Sequence, residues 1–231
     1  MILTLYNEGP SLNQSLAEIY QLLKKSGLSF EIILVDDRGS DNSLALAEEF
    51  IKDKDNCSII RHEINIGRGG SVSDGMRAAN GKVVGFVDTD LEISPEKIPE
   101  AVQTIISEQA DVVTGLRNYK FNLSSIFRYF LTSGYRLMVR LLFSLPISDT
   151  ETGFKFFNRE KILPILEKAK DKRWFWDTEI IVLSHYADLK ILEIPVIFKR
   201  RFDKKSTVNT LKDSIDYLTK IISFKLRNGK K

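Results

Sequence analysis

The sequence predicts an α/β fold in which a mostly parallel central sheet is covered by helices. Short segments rich in Val and Ile alternate along the chain with amphipathic stretches. The short segments are apolar at consecutive positions, as expected of strands that are buried on both faces. Each of them ends in polar residues or glycine, which is typical of strands that lead into loops. These three observations favour one sheet with helices on both sides.

Five strands and the first helices can be placed from this pattern. The first helix is expected over residues 11–26, with Gly27 placed to end it. Ser40 or Asp41 is expected to cap the second helix, and a third is expected to begin near Gly70. The buried face of the second helix is predicted to be Leu44, Ala47, Phe50 and Ile51. The predicted strands are ILTLY, FEIILVDD, CSIIR, KVVGFVD and DVVTG.

Length and composition indicate one main domain. The chain has 231 residues, of which 43% are hydrophobic, and this is enough for a substantial core. Cys57 is the only cysteine, so no internal disulfide can form, and no signal-like segment opens the sequence. A reducing, cytosolic setting is therefore expected. No window approaches the roughly 18 consecutive apolar residues that a membrane-spanning helix needs.

The positive charge is concentrated at the C-terminal end. The net charge of the chain is +3, but residues 199–231 carry +8, which leaves −5 on residues 1–198. The tail lacks the interleaved aromatic residues of a nucleic-acid-binding segment, so no nucleic-acid partner is expected. We expect a main domain over residues 1–207 and a basic amphipathic helix over residues 208–231, lying on the protein or on an anionic membrane surface. Its apolar face is predicted to be Leu211, Ile215, Leu218 and Ile222.

Acidic residues follow the predicted strands. Ligands of such sheets bind beyond the carboxyl ends of the strands. On an extended backbone, Asp88, Asp90 and Glu92 would share one side, and their mutual repulsion calls for a positive group among them. A nucleoside diphosphate bridged by Mg²⁺ or Mn²⁺ suits such a rim, because both cations prefer oxygen ligands. The residues that follow the strands are Asn7, Glu8, Asp36, Asp37, Asp88, Thr89 and Asp90.

Five ordered motifs make the resemblance specific: LYNE, VDDRGSDNS, NIGRGGSVSDGM, DTDLE and DTETGFK. In order and spacing they resemble the family 2 glycosyltransferases, and more narrowly the dolichyl-phosphate (polyprenyl-phosphate) mannosyltransferases and glucosyltransferases. The resemblance implies a GT-A type fold and a metal-dependent, inverting reaction. That reaction would move a hexose from UDP-glucose or GDP-mannose to a polyprenyl or dolichyl phosphate. The enzyme would work at the cytoplasmic face of a membrane.

The resemblance also assigns roles to residues. It implies that Arg117, Arg128 and Arg201 hold the acceptor phosphate, and that Asp149 lies near the sugar or the acceptor. Gly153 is expected to allow a close approach between its strand and a ligand. The metal would be held by Asp88, Asp90 and Glu92, where Glu92 replaces a glutamine of the family. The nucleotide sugar would contact Leu5, Tyr6, Glu8, Asp36, Asp37, Arg68, Asp88 and Thr89.

Simpler interpretations remain open for several of these residues. Asn7 could cap the first helix, Asp36 and Asp37 could open a turn, and Asp177 could N-cap a later helix. For Arg136 and Arg140 we expect snorkelling from an apolar helix face. In the loop after Arg201, the family glycine and lysine are replaced by Lys204 and Thr207.

Two other functions also remain open. A transferase that acts on a hydroxyl would need a carboxylate base, with Asp149 or Asp177 as the candidates. A non-catalytic nucleotide-sugar-binding adaptor is the third hypothesis, although Asp88, Asp90, Arg117 and Arg201 together favour catalysis.

Overall fold

The chain forms a seven-stranded mixed sheet flanked by helices. The computed structural model describes the backbone of residues 1–118, 126–199 and 210–229, and their side chains except at 10, 118, 126–132 and 210–215. The strands are β1 Ile2–Leu5, β2 Ile32–Asp36, β3 Cys57–Arg61, β4 Val83–Val87, β5 Val112–Asn118, β6 Phe154–Asn158 and β7 Ile191–Ile197. The helices are α1 Leu12–Lys25, α2 Ser43–Ile51, α3 Arg68–Ala78, α4 Ile98–Ile106, α5 Ile126–Phe143, α6 Arg159–Leu166, α7 Trp176–Tyr186 and α8 Thr210–Asn228.

The strand order is β3-β2-β1-β4-β6-β5-β7. Strands β1, β2, β3 and β4 form parallel pairs, and β5 is parallel to β7. Strand β6 is inserted between β4 and β5 and is antiparallel to both. The five predicted strands and the mostly parallel sheet are therefore confirmed. Strands β6 and β7 were not among the predicted ones; β7 contains Pro195, which an edge strand such as this one tolerates.

Side chains from the strands enter two apolar layers, one on each face of the sheet. In β2, Ile33 and Val35 join the layer that holds α3, α6 and α7, whereas Ile32 and Leu34 join the layer that holds α1 and α4. This alternation is the period of two that a strand imposes. Both faces of the strand are buried, which explains its continuous apolar sequence.

Helix α8 packs against the protein. Its Ile221 and Phe224 are each 1% exposed and belong to the same apolar layer as α5 and α7. The ring of Phe224 lies 5.6 Å from that of Phe143 in α5 and 6.0 Å from that of Phe175. The helix therefore lies on the protein, which is one of the two surfaces expected for it, but it packs through Ile221 and Phe224. Leu218 and Ile222, of the predicted apolar face, are 43% and 59% exposed. Across the described ranges, none of the helices is both long enough and apolar enough to cross a bilayer.

The ends of the first helices differ in part from the prediction. Gly27 has φ +72° and follows the last turn of α1, as expected of a glycine that ends a helix. Neither Ser40 nor Asp41 occupies the N-cap of α2, which is Asn42; Asp41 instead accepts a hydrogen bond from the Ser43 amide at 3.0 Å.

The hypothesis that Asn7 caps the first helix is also wrong. A 3-10 turn, Gly9–Ser11, separates the end of β1 from α1, and the N-cap of α1 is Ser11. Asn7 accepts a hydrogen bond from the Ser40 amide at 2.7 Å and so joins the loops that follow β1 and β2.

Candidate active site

The acidic segment after β4 turns sharply instead of staying extended. The Asp88 carbonyl accepts a hydrogen bond from the Leu91 amide at 3.2 Å, and Leu91 has φ +53°. The Asp90 carboxylate accepts a hydrogen bond from the Glu92 amide at 3.0 Å. The expectation that alternation on an extended backbone aligns the three acids was therefore wrong. All three side chains are half-buried at the edge of the sheet.

A positive group does lie beside these acids, and it is Arg68, the first residue of α3. Its Nε and Nη2 atoms lie 2.9 and 2.6 Å from Asp88 Oδ1, and its Nη1 donates to Asp177 Oδ2. Burial lowers the pKa of Arg68, but Asp177 and Asp88 together raise it above its ordinary value. Burial raises the pKa of Asp88, although Arg68 opposes this effect. Arg68 is therefore charged and partly neutralises the acidic edge.

Behind Arg68 lies a second ion pair, between Asp177 and Lys155. The side chain of Lys155 is fully buried on β6, and its Nζ lies 2.6 Å from Asp177 Oδ1. Burial lowers the pKa of Lys155, and Asp177 opposes that effect. The N-cap interpretation of Asp177 is wrong, because the N-cap of α7 is Phe175. Positive and negative side chains thus alternate along the series Lys155, Asp177, Arg68 and Asp88.

Gly153 brings its strand close to Asp88. The Gly153 carbonyl accepts a hydrogen bond from the Asp88 amide at 3.1 Å. A Cβ atom at position 153 would lie 1.7 Å from Asp88 Oδ2. The close approach expected at this glycine is therefore made to the Asp88 carboxylate, and only a residue without a side chain allows it.

The residues expected at the nucleoside are spread over two loops. Tyr6 is 53% exposed, whereas Leu5 is fully buried in the core. The Glu8 amide donates to Ser43 Oγ at 2.9 Å, which fixes the backbone there. Asp36 ends β2 and is 5% exposed. Of this group, the Tyr6 ring is the one that presents a large aromatic surface to solvent.

Asp37 shapes the loop that leads to Arg68. Its two carboxylate oxygens accept hydrogen bonds from the amides of Ile66 and Gly67, each at 2.9 Å. The ring of His62 lies 3.0 Å from the same carboxylate. The Asp37 carboxylate thus holds the loop before α3 in place, whereas the turn interpretation had it open a turn next to itself. Its proposed contact with a nucleotide stays a prediction, as does that of Thr89, which is buried beside β1.

At the same edge of the sheet, beyond the end of β5, Asp149 holds two arginines. Arg117 donates from Nε and Nη2 to the two oxygens of Asp149, each at 2.8 Å. Arg136, from α5, also contacts Asp149, so the expected snorkelling of Arg136 was wrong; Arg140 is exposed, as expected. Asp149 is fully buried, which by itself would raise its pKa, but the two arginines lower it. The carboxylate is thus an ionised support for both guanidinium groups.

Glu151 lies beside the same arginines. Its carboxylate is 3.8 Å from Arg117 Nη2, and 28% of its side chain is exposed. Burial and the nearby Asp149 raise the pKa of Glu151 to about 7, although Arg117 opposes this effect. A carboxyl group with this pKa gains or loses its proton near neutral pH.

Part of the expected acceptor site lies outside the described residues. This applies to the side chain of Arg128, in the first turns of α5, and to Arg201, Lys204 and Thr207. Their roles stay predictions. Arg117 is described, at the end of β5.

Sequence reasoning did not identify Lys155, Arg136 or Glu151 as site residues. A signal for Lys155 was present, because a lysine inside the apolar run FKFF is buried only when it has a partner. The association of Arg136 with Asp149 depends on how α5 packs, and no local sequence pattern predicts it.

The acidic edge of the sheet could supply some of the ligands of a divalent cation, and a bound diphosphate could supply the others. Among the residues with described side chains, no group of three or more His, Cys, Asp or Glu forms a metal-binding cluster. Mg²⁺ in particular is commonly held by one or two carboxylates together with substrate phosphates. Asp88 already has a cationic partner, which indicates that this carboxylate attracts positive charge. The residues present therefore fit a cation that arrives with a diphosphate.

The comparisons with known proteins agree with this geometry. The model of the family described as Glycosyl transferase family 2 matches residues 1–166. Dolichyl-phosphate beta-glucosyltransferase of Saccharomyces cerevisiae is 30% identical over 217 residues, which cover 85% of this chain and 65% of that protein. Glycosyltransferase AglD of Haloferax volcanii is 27% identical over 209 residues, or 89% of this chain and 34% of that protein. The chain thus spans less than two thirds of the length of these relatives.

Solved structures support the fold. Glucosyl-3-phosphoglycerate synthase from Mycobacterium tuberculosis, in complex with Mn²⁺, UDP and glucosyl-3-phosphoglycerate, superposes with a TM-score of 0.70. The match has 14% sequence identity and covers 96% of this chain and 78% of that chain. Another crystal structure of the same enzyme, with phosphoglyceric acid, has a TM-score of 0.71 at 14% identity and covers 99% of this chain and 79% of that one. These matches confirm the GT-A type fold. Since the family model matches most of the chain, the protein belongs to glycosyl transferase family 2.

Proposed function

We propose that the protein transfers glucose from UDP-glucose to the phosphate of a polyprenol or dolichol, with inversion at the anomeric carbon. Relatives named dolichyl-phosphate beta-glucosyltransferase support glucose and a lipid phosphate. GDP-mannose remains the alternative donor. Mg²⁺ or Mn²⁺ is the proposed cofactor, and the neighbouring structure with Mn²⁺ and UDP supports this.

The observation that carries the proposal is the arginine pair on Asp149. Guanidinium groups match the geometry of phosphate oxygens and stay charged at all relevant pH values. The side chains of Arg117 and Arg136 are 16% and 15% exposed, so each keeps some surface for a ligand while Asp149 fixes its orientation. We propose that this pair binds the acceptor phosphate, together with the Arg128 and Arg201 predicted from the sequence.

The two carboxylates that were candidates for a general base are both held in ion pairs, and this favours a phosphate nucleophile, which needs no base. Asp149 is bound by two arginines, and Asp177 by Lys155 and Arg68. Neither carboxylate is placed to take a proton from a hydroxyl group. A lipid phosphate needs no such base, because its oxygen is already anionic near pH 7.

The reaction then depends on alignment and charge. An oxygen of the acceptor phosphate forms a bond to the anomeric carbon from the face opposite the diphosphate. The bond between that carbon and the diphosphate oxygen breaks, and its electron pair leaves with the nucleoside diphosphate. We propose that Arg68 stabilises the departing charge and that Asp88 and Asp90 hold the cation, with Glu92 beside them. When bound, that cation would neutralise the diphosphate.

A second candidate function is transfer to a hydroxyl group, and Glu151 favours it. Its pKa of about 7 suits a general base, and it lies beside the arginine pair. In that case Glu151, and neither Asp149 nor Asp177, would accept the proton.

One experiment separates the two functions. The protein is given radiolabelled UDP-glucose or GDP-mannose with Mn²⁺ or Mg²⁺, and either a polyprenyl phosphate or the corresponding polyprenol, which lacks the phosphate. We expect labelled lipid only with the phosphate, only in the absence of EDTA, and predominantly from UDP-glucose.

Matched variants complete this experiment. Asp90→Asn should abolish the product, whereas Asp55→Asn, at an exposed aspartate before β3, should not. Product that forms from polyprenol, or that disappears in Glu151→Gln, would instead favour the hydroxyl function. Binding of the nucleotide sugar without transfer to either lipid would contradict the proposed acceptor.

We also propose that the protein attaches peripherally to the cytoplasmic face of a membrane through α5 and α8. Exposed apolar side chains lie on both helices, next to basic ones such as Arg140 and Arg227. The two helices are in contact, since the Lys225 ammonium donates to the Leu142 carbonyl at 2.9 Å. An apolar surface with basic neighbours suits an anionic lipid surface. The exposed apolar residues are Leu137, Leu141, Leu218, Ile222 and Leu226.

A further inference from the structure

Arg68 occupies a position beside Asp88 where a cation is needed. Two of its nitrogens, Nε and Nη2, are directed at one oxygen of Asp88, at 2.9 and 2.6 Å. The remaining nitrogen, Nη1, contacts Asp177. One guanidinium group is therefore shared between two carboxylates, and these differ in their exposure and in their other partners.

The two carboxylates differ in exposure and in their other partners. One third of the Asp88 side chain is exposed, and its surroundings include Asp90. Only 4% of the Asp177 side chain is exposed, and it is held from behind by the fully buried Lys155. Asp88 can thus exchange partners with solvent-borne ligands, whereas Asp177 is fixed in place.

Aromatic rings keep the guanidinium group at the site. Its carbon lies 5.0 Å from the centre of the Phe86 ring and 5.5 Å from that of Trp174. Contacts of this kind attract a cation to the ring face. Together with Asp177, the two rings would still hold the guanidinium group if its contact with Asp88 were broken.

We propose that Arg68 stands in for the divalent cation at Asp88 and turns to the diphosphate when nucleotide and cation bind together, while Asp177 and Lys155 keep it at the site. This inference rests on the nucleotide-binding part of the proposed function and does not depend on the acceptor. Lys155 and Asp177 are then positioning residues, because they act through Arg68.

Two consequences follow for binding. A divalent cation alone must displace Arg68 from Asp88 and leaves the guanidinium with one anionic partner fewer. A diphosphate supplies that missing partner, so each ligand should strengthen the binding of the other by the same factor.

The test measures binding of Mn²⁺, UDP and GDP to the whole chain without any acceptor. Electron paramagnetic resonance of free Mn²⁺ gives the affinity for the cation alone, and calorimetry gives nucleotide affinity with and without saturating Mn²⁺. We expect Arg68→Gln to bind Mn²⁺ alone about tenfold more tightly than the wild type, because one charged contact no longer competes. The same variant should bind nucleotide in Mn²⁺ about tenfold more weakly.

Two further variants control this result. Arg68→Lys keeps the charge and should retain the weak binding of Mn²⁺ alone. Arg77→Gln, on the same helix and paired with Asp74 and Glu167 at the surface, should match the wild type in both measurements. Thermal unfolding of each variant shows whether it is folded.

The opposite signs of the two effects distinguish this role from a structural one. If Arg68→Gln weakens both affinities, or leaves the affinity for Mn²⁺ alone unchanged, the proposal is overturned. Equal Mn²⁺ affinity of the wild type with and without nucleotide would overturn it as well. If the wild type binds neither nucleotide in Mn²⁺, the proposed function itself fails, whereas binding without transfer to a lipid affects only the acceptor.

Discussion

Replacing Gly153 by alanine should disable the site and leave the fold intact. The added Cβ would lie 1.7 Å from Asp88 Oδ2 and 2.3 Å from its Cγ, whereas an ordinary contact begins at 3.4 Å. The carboxylate must therefore move by about 1.7 Å, the difference between these two distances. That shift breaks its contacts with Arg68, and a displacement of about 1 Å can already cost a factor of about 100 in rate.

The loss should appear in kcat/KM for the nucleotide sugar, which we expect to fall at least about 100-fold at saturating Mn²⁺. Stability should change less, by about 1–2 kcal/mol, because the group that must move is the end of a half-exposed side chain. Initial rates of hexose transfer and thermal unfolding measure the two effects. Gly134→Ala is the matched control, since a Cβ there meets nothing within 4 Å. Activity of Gly153→Ala within threefold of the wild type would refute the reasoning.

Four other predictions address the acceptor side and the membrane. Asp149→Asn should lower the free energy of unfolding by about 3 kcal/mol and raise the acceptor KM, because two arginines lose their buried partner; lost kcat with unchanged stability and KM would indicate a base. Ionisation of Glu151 between pH 6 and 8 adds a negative charge beside Arg117, so the acceptor KM should rise several-fold over this range in the wild type and less in Glu151→Gln. Since the pKa of Glu151 is raised in the folded state, its contribution to stability should be present below pH 4.5 and lost as the pH rises through 7. Leu141→Glu combined with Leu226→Glu should reduce binding to anionic liposomes at low salt without lowering Tm, because both leucines are exposed; unchanged binding would contradict the proposed membrane surface.

The strands with continuous apolar sequences were predictable because burial on both faces leaves a simple pattern. Strands β1, β2, β4 and β5 carry it, whereas the edge strand β3 has no buried residue and was predicted from its isoleucines; all five are present. Strand β6 was not predicted because its first residues belong to the DTETGFK motif, which was interpreted only as part of a site. Strand β7 was not predicted because it contains Pro195, and a proline usually argues against the interior of a strand.

The residue types of the site were more predictable than their partners. Like charges at 88, 90 and 92 correctly indicated that a positive group must be nearby, and the structure shows Arg68 in that place. The shape of that segment was not predictable, because the left-handed conformation of Leu91 is set by the surrounding turn and not by its own preference. The ion pairs of Asp177 and Asp149 were not predictable either, since each joins elements that meet only in the folded sheet.

The antiparallel insertion of β6 has a consequence for the synthesis of the protein. Arg68 and Asp177 are 109 positions apart in the chain, and β6 must enter between β4 and β5 before Lys155 can reach Asp177. The ribosome therefore delivers β4, with its acidic segment, well before the elements that complete the sheet beside it. Until then, the edge of β4 has no partner on that side, and an open edge is prone to wrong pairing. We expect nascent chains to acquire nucleotide binding only after α7 has left the ribosome. During translation there is therefore a stage in which the chain is exposed to wrong strand pairing and is not yet active.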